Sequence, residues 1–119
     1  MGVWIGLVRR PSPEVRHSKE LEKLLTGLVS DDRRRRWISD MDDVLKENMF
    51  AGRPIQKKLI PEFYVDHYGV NNLYWYHHPD GFRSCYTLVH LPGVGVCPLV
   101  LDLRSHPEYE KVFGYQMGD

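Results

Sequence analysis

The sequence predicts an α+β domain: a helical hairpin packed on a small antiparallel sheet, closed by a short C-terminal helix. Three observations carry that reading. Between Leu21 and Leu45 the apolar residues recur at helical spacing, in two stretches parted at Gly27 to Ser30. Between Leu73 and Arg104, aromatic and β-branched runs alternate with Pro79-Asp80-Gly81 and Pro92-Gly93, the punctuation of turns. A length of 119 residues with 42% hydrophobic content supports a single core and leaves no room for a second domain.

In order, Val3-Trp4-Ile5-Gly6-Leu7-Val8 is apolar, partly β-branched and stopped by Pro11, which predicts a strand. Ser12-Pro13-Glu14 then reads as a helix start. Serine caps free backbone N–H groups, proline suits the first turn, and an acid favours the positive end of the helix dipole. Leu21, Leu24, Leu25 and Leu28 share one face of that helix, and Ser30-Asp31-Asp32 caps a second with the stripe Trp37, Ile38, Met41, Val44 and Leu45. The tight connection makes the pair an antiparallel hairpin. Ala51-Gly52-Arg53-Pro54 ends the helical region. Gln56 to Ile60 is a candidate short strand, and Pro61 to Gly69 an irregular or single-turn segment. Leu73 to His78, Phe82 to Leu91 and Val94 to Arg104 form a three-strand meander, and Ser105-His106-Pro107-Glu108 opens a helix ending near Phe113-Gly114.

Turn lengths give a register. If Pro92-Gly93 is a two-residue loop, Leu91 faces Val94 and Arg83 faces Asp102. Cys85 and Cys97 then point to opposite faces and are expected to be free thiols. A three-residue loop at Pro79 to Gly81 sets His78 opposite Phe82. Trp75, His77, Arg83, Asp102 and Arg104 then make a polar, open face. Tyr74, Tyr76, Phe82, Tyr86, Leu88, Leu99, Leu101 and Leu103 make the face that meets the helices. A one-residue slip inverts such an assignment.

Sixteen Lys plus Arg balance sixteen Asp plus Glu, so the net charge is zero. That excludes a chain coated in positive charge but leaves room for a local basic patch. No run reaches the about 18 apolar residues of a membrane span, and Met1 to Arg10 lacks the basic lead and cleavage site of a signal peptide. A cytoplasmic protein with no membrane partner is expected. Two cysteines without a C-x-x-C, and six histidines without metal-ligand spacing, point to no metal site. Arg33 to Arg36 spread around a helix turn near Asp31, Asp32 and Asp40, which suits a locally paired, solvated face, with ribosomal RNA contact as the alternative.

Four stretches occur in a telling order: Pro54-Ile55-Gln56-Lys57-Lys58-Leu59, Leu73-Tyr74-Trp75-Tyr76, Gly81-Phe82-Arg83-Ser84-Cys85-Tyr86, and Val100-Leu101-Asp102-Leu103-Arg104-Ser105-His106-Pro107-Glu108-Tyr109. With the expected sequence of strand, two helices, meander and closing helix, the chain resembles, from about Glu14 to Tyr115, the RelE/ParE superfamily. These are the toxin halves of type II toxin–antitoxin pairs. The resemblance implies a single RelE/ParE-like domain over residues 1–119 and a cognate antitoxin protein as partner. RelE-like members are ribosome-dependent mRNA endonucleases that need no metal or other cofactor, whereas ParE-like members poison DNA gyrase. In RelE-like cleavage the RNA 2′-hydroxyl attacks the adjacent phosphate, helped by a base, by cations that stabilise the phosphorane, and by an acid for the leaving oxygen.

Carried over by position, the resemblance makes Lys57, Lys58, Arg83, Arg104 and Tyr109 the catalytic set, and Trp75, His77 and His106 the candidate substrate contacts. Each has a plainer alternative. Arg83 either stabilises a phosphate or pairs with Asp102 across the strands. Arg104 binds phosphate or is a surface charge, and Lys57 and Lys58 are functional or ordinary loop lysines. His77 stands where family members often carry arginine, and an ordinary pKa near 6.5 suits acid or base work; otherwise it is a strand histidine. His106 contacts substrate or caps the last helix. Tyr109 and Trp75 stack on bases or pack in the core. The expected function is a type II toxin, an mRNA interferase. The alternative is a ParE-like or catalytically lapsed relative that acts by binding gyrase or antitoxin.

Overall fold

A computed structural model of the chain describes residues 9–117; the strand expected over Val3 to Val8 lies outside them. The first regular element among the described residues is extended. Arg16–His17 (β1) runs parallel to Leu99 and Val100 of a later strand. Helix α1 follows at Lys19–Thr26, capped by Ser18 and not by Ser12 as expected. Ser18 Oγ accepts from Leu21 N at 3.0 Å and donates to the Leu101 carbonyl at 2.6 Å, so the same hydroxyl caps the helix and ties it to the sheet. The Ser12 hydroxyl is spent instead on the Glu14 carbonyl, at 2.6 Å.

Helix α2 spans Arg33–Glu47, with the Asp32 carboxylate accepting from Arg34 N at 2.9 Å, as the Ser30-Asp31-Asp32 signal predicts. Trp37, Ile38, Met41 and Leu45 are buried; Val44, expected in the same stripe, is exposed. Each arginine of the 33–36 run is engaged, all but Arg33 by partners near in sequence. Arg33 pairs with Asp80, Arg34 with Asp32 and Arg36 with Asp40, while Arg35 donates to the carbonyls of Leu28 and Val29.

The short strand lies earlier than expected. It is Arg53–Pro54 (β2), and Lys57–Leu59 is a 3-10 turn. A residue preceding proline favours extended backbone, and proline suits a sheet edge because it has no N–H to donate. The segment expected to be irregular holds helix α3, Glu62–Tyr68, closed by Gly69 at φ 67°. Strands β3 (Tyr74–His77), β4 (Arg83–Leu91) and β5 (Gly95–Val100) form the meander, and α4 runs His106–Met117, somewhat beyond its expected end. Among the described residues five strands lie in the order β1-β5-β4-β3-β2, so the sheet is mixed rather than purely antiparallel.

The β3–β4 register is the expected one, pairing Trp75 with Cys85 and His77 with Arg83. The β4–β5 register is slipped by one residue: Leu91 faces Gly95, because Val94 joins Pro92 and Gly93 in the turn. Gly93 and Gly95, at φ 79° and 98°, supply left-handed backbone that side-chain-bearing residues resist. The slip moves Val100 to the hairpin face and Leu99 and Leu101 to the other. Further on, a bulge sets Asp102 and Leu103 against the single Ser84, so Arg83 faces Arg104 and not Asp102.

Two apolar layers result. On one side Leu21, Ile38, Met41 and Leu45 meet Tyr86, Val100 and Leu103. On the other, Tyr64 of α3 and Tyr109 and Phe113 of α4 cover Trp75, Cys85 and Leu101. The face expected to be open is therefore roofed over most of its length, because Leu99 and Leu101 on that side require apolar cover. Cys85 and Cys97 are both free and buried, as expected. They share a face but stand far apart along the ladder, opposite Leu101 and Val89 respectively. Among the described residues, no helix is long and apolar enough to cross a membrane.

Candidate functional site

Opposed residues of an antiparallel ladder project to the same face. The pairings His77 with Arg83, and Arg83 with Arg104, therefore set three cation-capable side chains in a row across β3, β4 and the segment after β5. Arg53 joins from β2, where it faces Trp75 on the same side of the sheet. At this end Arg53 and His77 are exposed, while Arg83 and Arg104 are half-buried at the margin of the apolar roof.

The arginines are held differently. The Arg83 guanidinium lies 4.3 Å from the centroid of the Tyr109 ring, and no ion pair engages it among the described residues. Arg104 Nε donates to Asp102 Oδ2 at 3.0 Å, and its guanidinium lies 5.3 Å from the Phe63 ring. Burial works against the Arg104 charge, but the Asp102 carboxylate outweighs it and the pKa stands above the ordinary value. Asp102 itself accepts from Tyr64 Oη at 2.6 Å and Cys85 N at 2.9 Å, replacing the backbone acceptor that the bulge removes. The Arg83–Asp102 pair allowed by sequence is thus corrected to Arg104–Asp102. Burial drives the Tyr64 phenol far above its usual range, so it serves as a donor to that carboxylate.

His77 is exposed. Partial desolvation of the ring, then the Arg83 and Arg53 charges, lower its pKa and favour the neutral imidazole. With Ala51, Gly52, Arg53, Trp75 and Tyr76 it lines a cleft of about 300 Å³ at the sheet edge. Its neighbour His78 points the other way: it is buried, stacks on Trp37, bonds Ser84 Oγ at 2.8 Å, and burial pushes its pKa down to about 4.

The structure does not gather all the expected residues. Trp75 is 8% exposed and Tyr109 7%, packed with Phe113 in one aromatic cluster, so neither presents a free ring face to a base. Burial raises the Tyr109 pKa, which leaves the phenol a poor acid and its ring a platform for Arg83. Lys57 and Lys58 are exposed on their turn and form no ion pair among the described residues. His106 is exposed on the first turn of α4, close to the turn at Gly81. The cap of α4 is Ser105, not His106: Glu108 Oε1 accepts from Ser105 N at 2.8 Å in a capping box.

Sequence reasoning did not single out Arg53, although its position before a proline signalled extended chain. It also gave Asp102 the wrong partner. Comparison with protein-family models, curated proteins and solved structures finds no match to this chain.

Proposed function

We propose that this chain is a RelE/ParE-like toxin of a type II toxin–antitoxin pair that cleaves mRNA on the ribosome. The observation that carries the reading is the row formed by exposed His77 and half-buried Arg83 and Arg104 across the sheet face. Two helices, then an antiparallel meander and a closing helix, which are part of the order on which the family resemblance rests, also support it. Arg83 and Arg104 would hold the phosphate and stabilise the phosphorane; one such preorganised donor contributes about 10²–10³-fold in rate. Tyr109 orients Arg83 by stacking, Lys57 and Lys58 add exposed cations for the RNA backbone, and His106 lies at the rim by the Gly81 turn. A cognate antitoxin with an amphipathic segment is the implied partner.

The second reading is a ParE-like or lapsed relative that works by protein binding. It draws on the neutralisation of Arg104 by Asp102 and the burial of Tyr109, both of which subtract from a nuclease site. Controlled expression with mapping of mRNA 5′ ends, growth and DNA supercoiling separates the two. New ends inside translated codons support the interferase. Arrest with intact mRNA and altered supercoiling supports gyrase binding.

A further inference from the structure

We infer that His77 is the catalytic residue that takes the proton from the attacking 2′-hydroxyl, and that the edge cleft lined by Arg53 and His77 seats the ribose and phosphate of an RNA strand. The inference rests on the nuclease reading above and adds the proton-transfer group and a second phosphate cation to it.

The geometry comes from the ladder. His77 sits opposite Arg83 on β4, and two residues back along the same face Trp75 sits opposite Arg53 on β2. The charged groups that face the imidazole are therefore guanidinium groups. The preceding Tyr76 and following His78 belong to the opposite face, His78 being buried on Ser84. No carboxylate pairs with His77 among the described residues. An exposed imidazole between two guanidinium groups is kept proton-free before substrate arrives. An RNA phosphate seated in that cleft against Arg53 cancels part of the cationic field on His77, which raises its proton affinity once the substrate is in place. A base that is empty when free and stronger when occupied suits abstraction near neutral pH.

The step balances without a co-reactant. The 2′-oxygen forms a bond to phosphorus as its proton passes to a ring nitrogen of His77. The P–O5′ bond breaks, the 5′-oxygen takes a proton from water, and His77 returns its proton to solvent. The products are a 2′,3′-cyclic phosphate and a 5′-hydroxyl, and a strand with 2′-deoxyribose at that position is not cut.

The test is single-turnover cleavage of a defined mRNA in a purified translation mixture with the full chain, followed over pH. The wild-type rate is expected to rise with pH along a limb set by substrate-bound His77, and the limb measured at sub-saturating concentrations, which reports the free chain, is expected to lie at lower pH. His77→Asn, at an exposed position and checked for fold by circular dichroism, should lose about 100-fold or more and the limb with it. Arg53→Ala should still cut, more slowly, with the limb displaced to higher pH, a shift that a purely structural role would not produce. Wild-type cleavage together with full activity in His77→Asn, or an unmoved limb in Arg53→Ala, overturns the His77 assignment alone. An inactive wild-type chain overturns the nuclease reading, and this inference with it.

Discussion

Replacing Asp102 tests the bulge that sets up the site. Its carboxylate accepts from Tyr64 Oη at 2.6 Å, Cys85 N at 2.9 Å and Arg104 Nε at 3.0 Å, with Asp102 11% exposed and Arg104 25% exposed at the side chain. Asp102→Ala strands three donors, one of them a half-buried cation. Removing one partner of a buried charge pair costs about 3–5 kcal/mol. The residual exposure of Arg104 places the expected loss toward the lower end, about 3 kcal/mol. With a urea m-value of about 1.5 kcal/mol/M, the unfolding midpoint should fall by about 2 M. Asp102→Asn, which keeps the shape and part of the bonding, should lose about half as much. The decisive quantity is the coupling in double-mutant cycles. Asp102 with Arg104 should couple by about 1–2 kcal/mol, and Asp102 with Arg83 by less than about 0.5 kcal/mol. Stronger coupling to Arg83 would mean that Leu91 faces Val94 and Arg83 faces Asp102, the register expected from a two-residue loop, and would refute the row of His77, Arg83 and Arg104.

Two further perturbations test the scaffold. His17 bridges Glu22 at 2.5 Å and Asp42 at 2.9 Å, and the bond to Asp42, followed by the one to Glu22, raises its pKa despite burial. Its contribution to stability should be complete below the unfolded value of about 6.5 and fade as pH rises through the folded one, a loss absent in His17→Gln. Buried His78, with a folded pKa of about 4, acts in the opposite sense, so its contribution of roughly 3 kcal/mol should be lost as pH falls from about 6.5 to about 4. Thermal unfolding of wild type and His17→Gln between pH 4 and 9 should therefore place the wild-type maximum near pH 6.5; a wild-type curve still rising above pH 7 would contradict the His17 assignment, and one flat between pH 4 and 6.5 the His78 assignment. Gly52→Ala should destabilise by about 3 kcal/mol, since the added Cβ would meet the Trp75 carbonyl at 2.4 Å and the Tyr86 ring at 2.6 Å. An unfolding temperature within about 2 °C of wild type would show that the close approach of these segments is absent.

Local chemistry made part of this fold legible. Pro79-Asp80-Gly81 fixed the β3–β4 register, Asp32 announced α2, and Ser105 with Glu108 announced α4. What escaped was decided by partners distant in sequence. Ser18 was preferred to Ser12 because its hydroxyl also reaches Leu101. Val94 entered the last turn because Gly95 accepts a left-handed backbone, and a single residue of slip exchanged Val100 for Leu99 and Leu101 between faces. The bulge was invisible because the Asp102 side chain substitutes for a backbone acceptor. For the site, Arg83, Arg104 and His77 were legible from motif order and strand alternation. The burial of Trp75 and Tyr109 was not, because it depends on α3 and α4 closing over the sheet.

The most direct test of the central claim compares wild type with Arg83→Ala in a purified translation mixture on a defined mRNA, with 5′-end mapping of the products. Arg83 makes no ion pair among the described residues, so its removal should leave the unfolding midpoint nearly unchanged. The account predicts cuts within translated codons by the wild-type chain, and about 100-fold slower cutting by the folded variant. Equal cutting by both would remove Arg83 from the site, and no cutting by the wild-type chain would contradict the nuclease reading itself.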